Sequence, residues 1–242
     1  MAPALLISDL HLAPSRPALV TAFERLCAGP AREAKAFYIL GDLFDAWIGD
    51  DQVRDPIAAR VVGAIRAVAD KGVAVSIAHG NRDFLLGDAF AKAAGATLLP
   101  EQIVVDLAGT PTLLSHGDEL CTDDVAYQRS KIWRNDPARR RRFLALPYPV
   151  RRALAAWYRR RSRVATMLKS DAIMDVNADA VIGALRRFRV QRMIHGHTHR
   201  PARHEVDVDG AACERYVLAD WYDRGSYLEV DSAGLSPREV PV

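Results

Sequence analysis

Ala36-Phe37-Tyr38-Ile39-Leu40-Gly41-Asp42-Leu43-Phe44-Asp45 is an apolar run that ends on a glycine and passes directly to an aspartate. Five apolar or aromatic residues bounded in this way read as a strand buried on both faces. Gly41 lets the backbone turn sharply, so Asp42 is presented at the strand's carboxyl end. The pattern recurs along the chain. Ala4 to Ser8 leads into Asp9-Leu10-His11, and Val73 to Ala78 into Gly80-Asn81-Arg82-Asp83. Pro111 to Ser115 leads into His116-Gly117-Asp118, and Arg192 to Ile194 into His195-Gly196-His197-Thr198-His199. Helical spacing separates the early strands, through Leu19, Phe23 and Leu26, then Val61, Ile65 and Val68, then a helix near Phe90 that Gly95 ends. Strands alternating with helices predict βαβ units and a sheet covered on both faces. Hairpins are expected around Gly109 and Asp209-Gly210, and Ser226 to Val230 reads as the last strand.

Residues far apart in the chain can converge, because ligand sites in open α/β sheets collect at the carboxyl ends of the strands. The seven donors so gathered are Asp9, His11, Asp42, Asn81, His116, His195 and His197. Two divalent ions roughly 3.5–4 Å apart clamp the attacking and leaving oxygens of a phosphoryl displacement. Holding them that close needs a bridging anion, and Asp42 on its glycine turn is the candidate. Neutral imidazoles and an Asn carbonyl fill the remaining positions without adding negative charge, which leaves the centre cationic toward an anionic substrate. A set of imidazole and carboxylate without sulfur suits Mn, Fe or Zn. His79 reads as a buried, hydrogen-bonded histidine, and His199 and His204 trail the last motif, with His199 within reach of the outer shell. Asp45 reads as the orienter of a bound imidazole, and Asp118 as a turn cap rather than a ligand.

Bulk properties narrow the setting. No stretch approaches the roughly 18 consecutive apolar residues of a membrane-spanning helix. Cys27, Cys121 and Cys213 stand far apart, which argues for a reducing compartment and against a disulfide framework, so a cytoplasmic location is expected. The N-terminal run stops at Asp9 without a basic start and does not read as a secretory signal. Charge is uneven: Arg129 to Arg163 holds thirteen Lys or Arg against the single acid Asp136, while the whole chain sums to only +3. In that region Val150, Leu154, Trp157 and Tyr158 keep helical spacing among arginines, and Pro137, Pro147 and Pro149 interrupt it. The expected organisation is a core of residues 1–120 and 170–242 with an inserted basic helical cap at 121–169. Such a cap suits an anionic membrane surface.

The five motifs resemble those of the calcineurin-like metallophosphoesterase superfamily. The resemblance implies an αββα sandwich, two β-sheets flanked by helices, and two metal ions. Asp9, His11, Asp42 and His197 would hold one ion; Asp42, Asn81, His116 and His195 would hold the other. Longer stretches are similar to the UDP-2,3-diacylglucosamine hydrolase family of lipid A biosynthesis. They include Ala46-Trp47-Ile48-Gly49-Asp50-Asp51, Gly80 to Gly87, Leu120 to Asp124, Ala172 to Asn177 and His195 to Pro201. That similarity implies two Mn²⁺ per chain and hydrolysis of the pyrophosphate of UDP-2,3-diacylglucosamine to UMP and 2,3-diacylglucosamine 1-phosphate. It implies a catalytic set of Asp42, Asn81, Arg82 and His116. It also implies substrate contacts from Asn81, Arg82, Asp124, Ser162, Thr166, Lys169 and His195, with Tyr127 and Arg159 as further candidates. The expected location becomes the cytoplasmic face of the inner membrane, with no nucleic acid and no obligate protein partner.

Many superfamily members carry His after the Asn of the third motif; here that position is Arg82. A guanidinium stabilises charge but does not donate a proton near neutral pH. The leaving group is then expected to depart unprotonated, as a phosphate monoester with its second pKa of about 6 does. An alternative keeps the fold and makes the chain a nucleotide phosphodiesterase or nuclease, its basic block interleaved with Trp133, Trp157 and Tyr158 to bind a phosphate backbone. A second alternative is a non-enzymatic scaffold, against which all seven ligand positions are filled. A bland alternative for Arg82 is an ion pair with Asp83 or Asp88.

Overall fold

The computed structural model describes residues 2–167, 175–222 and 224–240, with side chains in the long cap-region helix described as far as Arg160. In chain order the elements are β1 (Ala4–Ile7), α1 (Pro17–Ala28), β2 (Ala36–Leu40), α2 (Pro56–Ala69), β3 (Ala74–Ala78), α3 (Asp88–Ala94), β4 (Thr97–Leu98), β5 (Gln102–Leu107) and β6 (Thr110–Ser115). They continue with α4 (Val125–Asn135), α5 (Pro137–Leu144), α6 (Tyr148–Met167), α7 (Ala178–Phe188), β7 (Arg192–His195), β8 (Ala202–Val208), β9 (Ala211–Val217), β10 (Gly225–Asp231) and β11 (Gly234–Val240).

Side-chain alternation in β1 sets the layering. Leu5 and Ile7 point into a core shared with α1, α2 and α3, while Ala4 and Leu6 point into a second core between two sheets. A strand covered on both faces reads as continuously apolar, which is why β1 and β2 carry so little polar signal. The first sheet runs β11-β10-β1-β2-β3-β4, parallel from β1 to β4 and antiparallel at the β10 and β11 edge. The second runs β5-β6-β7-β9-β8, with β6, β7 and β9 parallel. Leu114, Ile194 and Leu218 face the first sheet; Leu113 and Met193 face Val181, Ala184 and Leu185 of α7. The result is the expected αββα sandwich. Both expected hairpin turns form with two consecutive residues at positive φ, Ala108-Gly109 and Asp209-Gly210, the geometry that matches strand twist.

One expectation is corrected. Ser226 to Val230 is not the last strand, because β11 pairs antiparallel along the whole of β10. Its apolar signal is sparse: Leu235 packs between the sheets and Val240 on the helical side. Pro237 is tolerated because β11 is an edge.

Helices α4 to α6 lie between β6 and α7 in the chain. Asp124 caps α4 by accepting from Tyr127 N, and Asp136 caps α5 by accepting from Arg139 N, with Pro137 in its first turn. Positions 148, 151 and 159 fall on one face of α6, and that face is tied to the loop after β2. Tyr148 bonds Asp55, the buried Arg151 bonds the Ile48 carbonyl and Asp51, and Arg159 pairs with Asp45. Among the described residues, no helix is long and apolar enough to cross a membrane.

Candidate metal centre

All five motifs emerge at the carboxyl ends of β1, β2, β3, β6 and β7, and the backbone is strained in those after β1, β2 and β7. Eight described non-glycine residues have positive φ; five of them are Asp9, His11, Asp42, His197 and His199. An L-residue in that region costs free energy, and such outliers persist where surrounding structure enforces them. Two glycines show how close the packing is. A Cβ on Gly80 would lie 2.1 Å from Asp42 Oδ1, and one on Gly196 would lie 2.2 Å from Asp9 Oδ2.

Each carboxylate is held by one oxygen and offers the other. Asp9 Oδ2 accepts from Ser8 Oγ at 2.7 Å and from His197 N at 2.8 Å. Its buried Oδ1 makes no hydrogen bond of good geometry and lies 3.3 Å from His199 Nε2. Asp42 Oδ1 accepts from Arg82 N at 2.7 Å and lies 3.9 Å from His116 Nε2, while Oδ2 lies 3.7 Å from His11 Nδ1. Asp9, Asp42 and His116 present ligand atoms all within 4.8 Å of one another, and so do Asp9, His11 and His199. These are two adjoining groups that share Asp9, with a buried, unbonded nitrogen on His11 Nδ1. Such orphaned polar atoms in a tight cluster of nitrogen and oxygen donors fit a dinuclear divalent centre.

The remaining expected ligands divide. His116 donates from Nδ1 to the Leu40 carbonyl at 2.8 Å, which turns Nε2 toward Asn81 Oδ1 and His197 Nδ1, each 3.2 Å away. His195 is fully buried at the end of β7, yet it stands in neither group. Its Nδ1 donates to the Gly196 carbonyl at 2.8 Å and its Nε2 faces Arg215 Nη1 at 3.2 Å. Both of its nitrogens are therefore engaged by neighbours outside the two groups.

Electrostatics follow from this crowding. Burial pushes the Asp42 carboxyl up to about 7, with Asp83 and Asp9 adding to the rise and His116 opposing it. Burial would also raise Asp9, but His199, His116 and His11 hold it well below the carboxylate range. Burial alone would lower His116, yet Asp42, Asp9 and Asp118 lift it to about 9. His11 and His197 are pushed down by burial, to about 4 and about 3, so they stand neutral and ready to coordinate. At neutral pH the metal-free centre therefore keeps a proton on His116 that a bound cation must displace. Metal affinity should rise as pH climbs from 6 toward 9, and binding at pH 7 should release protons. Titration calorimetry in buffers of different ionisation enthalpy reads that release; proton-neutral binding would contradict it.

Several supporting residues carry roles the sequence did not suggest. Asp83, fully buried, accepts from Gly80 N and Leu43 N at 2.8 Å and from Asp42 N and Phe44 N at longer range. It locks the loops after β2 and β3 together and forms no described ion pair with Arg82. Arg82 instead lines a cavity, its shielded Nε without a hydrogen-bond partner among the described residues. Asp45 pairs with Arg159 of α6 rather than with an imidazole. Asp118 is more than a turn cap: it accepts from Tyr127 Oη at 2.5 Å and pairs with Lys131 Nζ at 3.0 Å, fastening α4 beside His116. His199, expected outside the centre, bridges Asp9 and Asp220 (3.2 Å), and those carboxylates raise it to about 10 against the opposing effect of burial. The other acidic group, Glu101, Asp118 and Glu119, already holds the Lys131 ammonium.

The cavity, about 340 Å³, opens from Asn81 and Arg82 to α4, α5 and α6. Tyr127, Arg134, Trp157 and Arg159 are among its walls. Of the expected substrate contacts, Asn81 and Arg82 stand at its inner end, and Asp124 is buried as the α4 cap. The side chains of Ser162 and Thr166 lie outside the described part of α6, and Lys169 lies outside the described residues.

A sandwich of two mixed sheets with paired carboxylates and imidazoles at its strand ends is the architecture of a metallophosphoesterase. The calcineurin-like phosphoesterase model matches residues 2–201, and the chain belongs to that family. A solved structure described as a novel archaeal phosphodiesterase shares the fold at a TM-score of 0.50, with 12% identity over 99% of both chains. Within the family the relatives are much nearer. UDP-2,3-diacylglucosamine hydrolases of Escherichia fergusonii, Escherichia coli K12 and Shigella sonnei are each 50% identical over 226 residues, covering 93% of this chain and 94% of theirs. The chain is thus a member of the UDP-2,3-diacylglucosamine hydrolase family.

Proposed function

We propose that this protein hydrolyses the pyrophosphate bond of UDP-2,3-diacylglucosamine, giving UMP and 2,3-diacylglucosamine 1-phosphate. The observation that carries the reading is 50% identity, across nearly the whole of both chains, to hydrolases of that name. Asp9, His11, Asp42 and His197 hold one Mn²⁺ in this reading; Asp42, Asn81, His116 and His195 hold the other, with His195 giving up Arg215 to do so. Two dications there supply positive charge to the phosphate oxygens and activation of the nucleophile. Asn81 and Arg82 orient the phosphate from the neighbouring loop, where a cationic donor stabilises developing charge. Arg82 does not protonate a leaving group, which suits departure of a phosphate monoester.

The cavity supports a lipid-bearing substrate. Its Trp47, Ile48, Phe84, Leu85, Phe143 and Leu154 give an apolar lining, and Arg134, Arg139 and Arg140 add charge. Residues 121–169 act as a basic cap over it, with Asp124, Ser162, Thr166 and Lys169, together with Tyr127 and Arg159, contacting the sugar and its phosphate. Ile132, Trp133, Val150 and Trp157 are exposed on these helices beside the exposed Arg129, Arg141, Arg142 and Arg152. A basic surface with exposed apolar groups suits peripheral attachment to the anionic cytoplasmic face of the inner membrane. Anionic vesicles should sediment the protein at low salt and release it at high salt.

Incubation with UDP-2,3-diacylglucosamine and Mn²⁺ in ¹⁸O-water tests the activity. Label in UMP is the expected result. Absence of UMP from a folded, metal-loaded preparation rejects the substrate, and steeply salt-dependent DNA binding with cleavage would favour the nuclease reading.

A further inference from the structure

The cavity meets only one side of the metal centre. It meets the metal centre at Asn81 and Arg82, whereas Asp9, His11 and His199 border the centre elsewhere and none of them lines the cavity. Beside those three residues the loop after β1 meets the loop after β9. Trp221 N donates to the Asp9 carbonyl at 3.1 Å, and Trp221 Nε1 donates to the Ser226 carbonyl at 2.8 Å, so the second loop is pinned against the first. Its next residue, Tyr222, is 61% exposed.

Three features converge on that ring. Arg16 Cζ lies 4.7 Å from its centroid, and the His199 ring lies 6.4 Å away. Arg16 Nη1 is shielded from solvent yet has no hydrogen-bond partner among the described residues. Asp220 is taken up by His199 Nδ1 at 3.2 Å, and no ion pair of Arg16 is found among the described residues. An exposed aromatic face, a cation and an unspent donor, one side chain removed from the metal ligands, match the chemistry of a nucleotide: a flat base, then an anionic phosphate.

We propose that Tyr222 and Arg16 form the subsite for the nucleoside monophosphate half of the substrate, the base stacking on Tyr222 and Arg16 donating to the phosphate or ribose oxygens. This rests on the hydrolase reading above. It gives the molecule two binding arms that meet at the metals, an apolar one under α4 to α6 and a polar, solvent-facing one between the loops after β1 and β9. Base stacking tolerates every base, so this arm recognises a nucleotide in general and selects little for uracil.

The test uses the Mn²⁺-loaded full chain and UMP as the probe. Saturation-transfer NMR should show the uracil H5 and H6 protons in contact with wild type. Tyr222→Ala should weaken UMP binding by about 5- to 100-fold for the lost stacking, and Arg16→Ala should weaken it through the lost donor. Both should raise KM for UDP-2,3-diacylglucosamine with both metal equivalents retained. Tyr222→Phe, which keeps the ring, should bind UMP like wild type. Equal UMP affinity in wild type and both alanine variants overturns the proposal, as does transfer confined to the ribose. Because UMP binding is read without turnover, a wild type that fails to cleave the lipid substrate rejects the hydrolase reading separately.

Discussion

Asp42→Ala will lower kcat by at least about 10³-fold and cost the protein at least one metal equivalent. Outer-shell residues of metal sites typically account for about 10- to 100-fold in affinity or activity, so a shared ligand should exceed that range. The geometry singles out this carboxylate. Its two oxygens address different histidines, Oδ1 toward His116 and Oδ2 toward His11, one in each of the two adjoining groups that share Asp9. Among the described residues Asp9 also reaches both groups, but with Oδ2 held by Ser8 and His197 only its Oδ1 is open. Asp42 instead turns one oxygen toward each histidine, Oδ1 also accepting from Arg82 N. Asp42→Asn separates charge from shape, since the amide oxygen can still accept from Arg82 N while the negative charge is gone. Elemental analysis and saturating kinetics should show both variants folded, metal-depleted and inactive. Activity within tenfold of wild type would mean that another group joins the ions.

Asp83→Ala will melt several degrees below wild type and bind metal more weakly, although Asp83 is not a proposed ligand. It accepts short hydrogen bonds from Gly80 N and Leu43 N and lies wholly buried. Each buried N–H left without an acceptor costs about 1–3 kcal/mol, so the pair amounts to about 2–6 kcal/mol. In a chain of this size that corresponds to a fall in Tm of roughly 4–24 °C. The same two loops carry Asp42 and Asn81, so their loosening should also cut metal affinity by about 10- to 100-fold. Calorimetry of the metal-free variant separates the two effects. A melting temperature equal to that of wild type would show that the loops are held by other contacts.

How much of this was legible in the sequence depended on how local each signal was. Strand ends were readable because apolar runs stop abruptly at Gly41, His79-Gly80 or His116, with the candidate ligands Asp42, Asn81 and His116 at or just beyond the break. The helices α1 and α2 were readable because one face is apolar at helical spacing. Strand β11 was not, since an edge strand needs only two inward residues, Leu235 and Val240, and tolerates a proline. Asp83 hid in plain view inside the third motif, because all its partners but Gly80 N are backbone amides about forty residues away. The ion pairs of Asp45 and Asp118 were hidden for the same reason: Arg159 and Lys131 reach them from helices whose docking no local pattern reveals. His199 looked peripheral because its pairing with Asp220 is made only when the loop after β9 folds back along β1. Roles set by a residue's own neighbours in sequence could be read; roles set by tertiary approach could not.

Crystals grown with Mn²⁺ and measured at the manganese absorption edge test the dinuclear centre most directly. Two anomalous peaks should stand roughly 3.5–4 Å apart, with Asp42 between them, His11 beside one and His116 beside the other. One peak, or a pair of peaks remote from Asp42, would contradict the account.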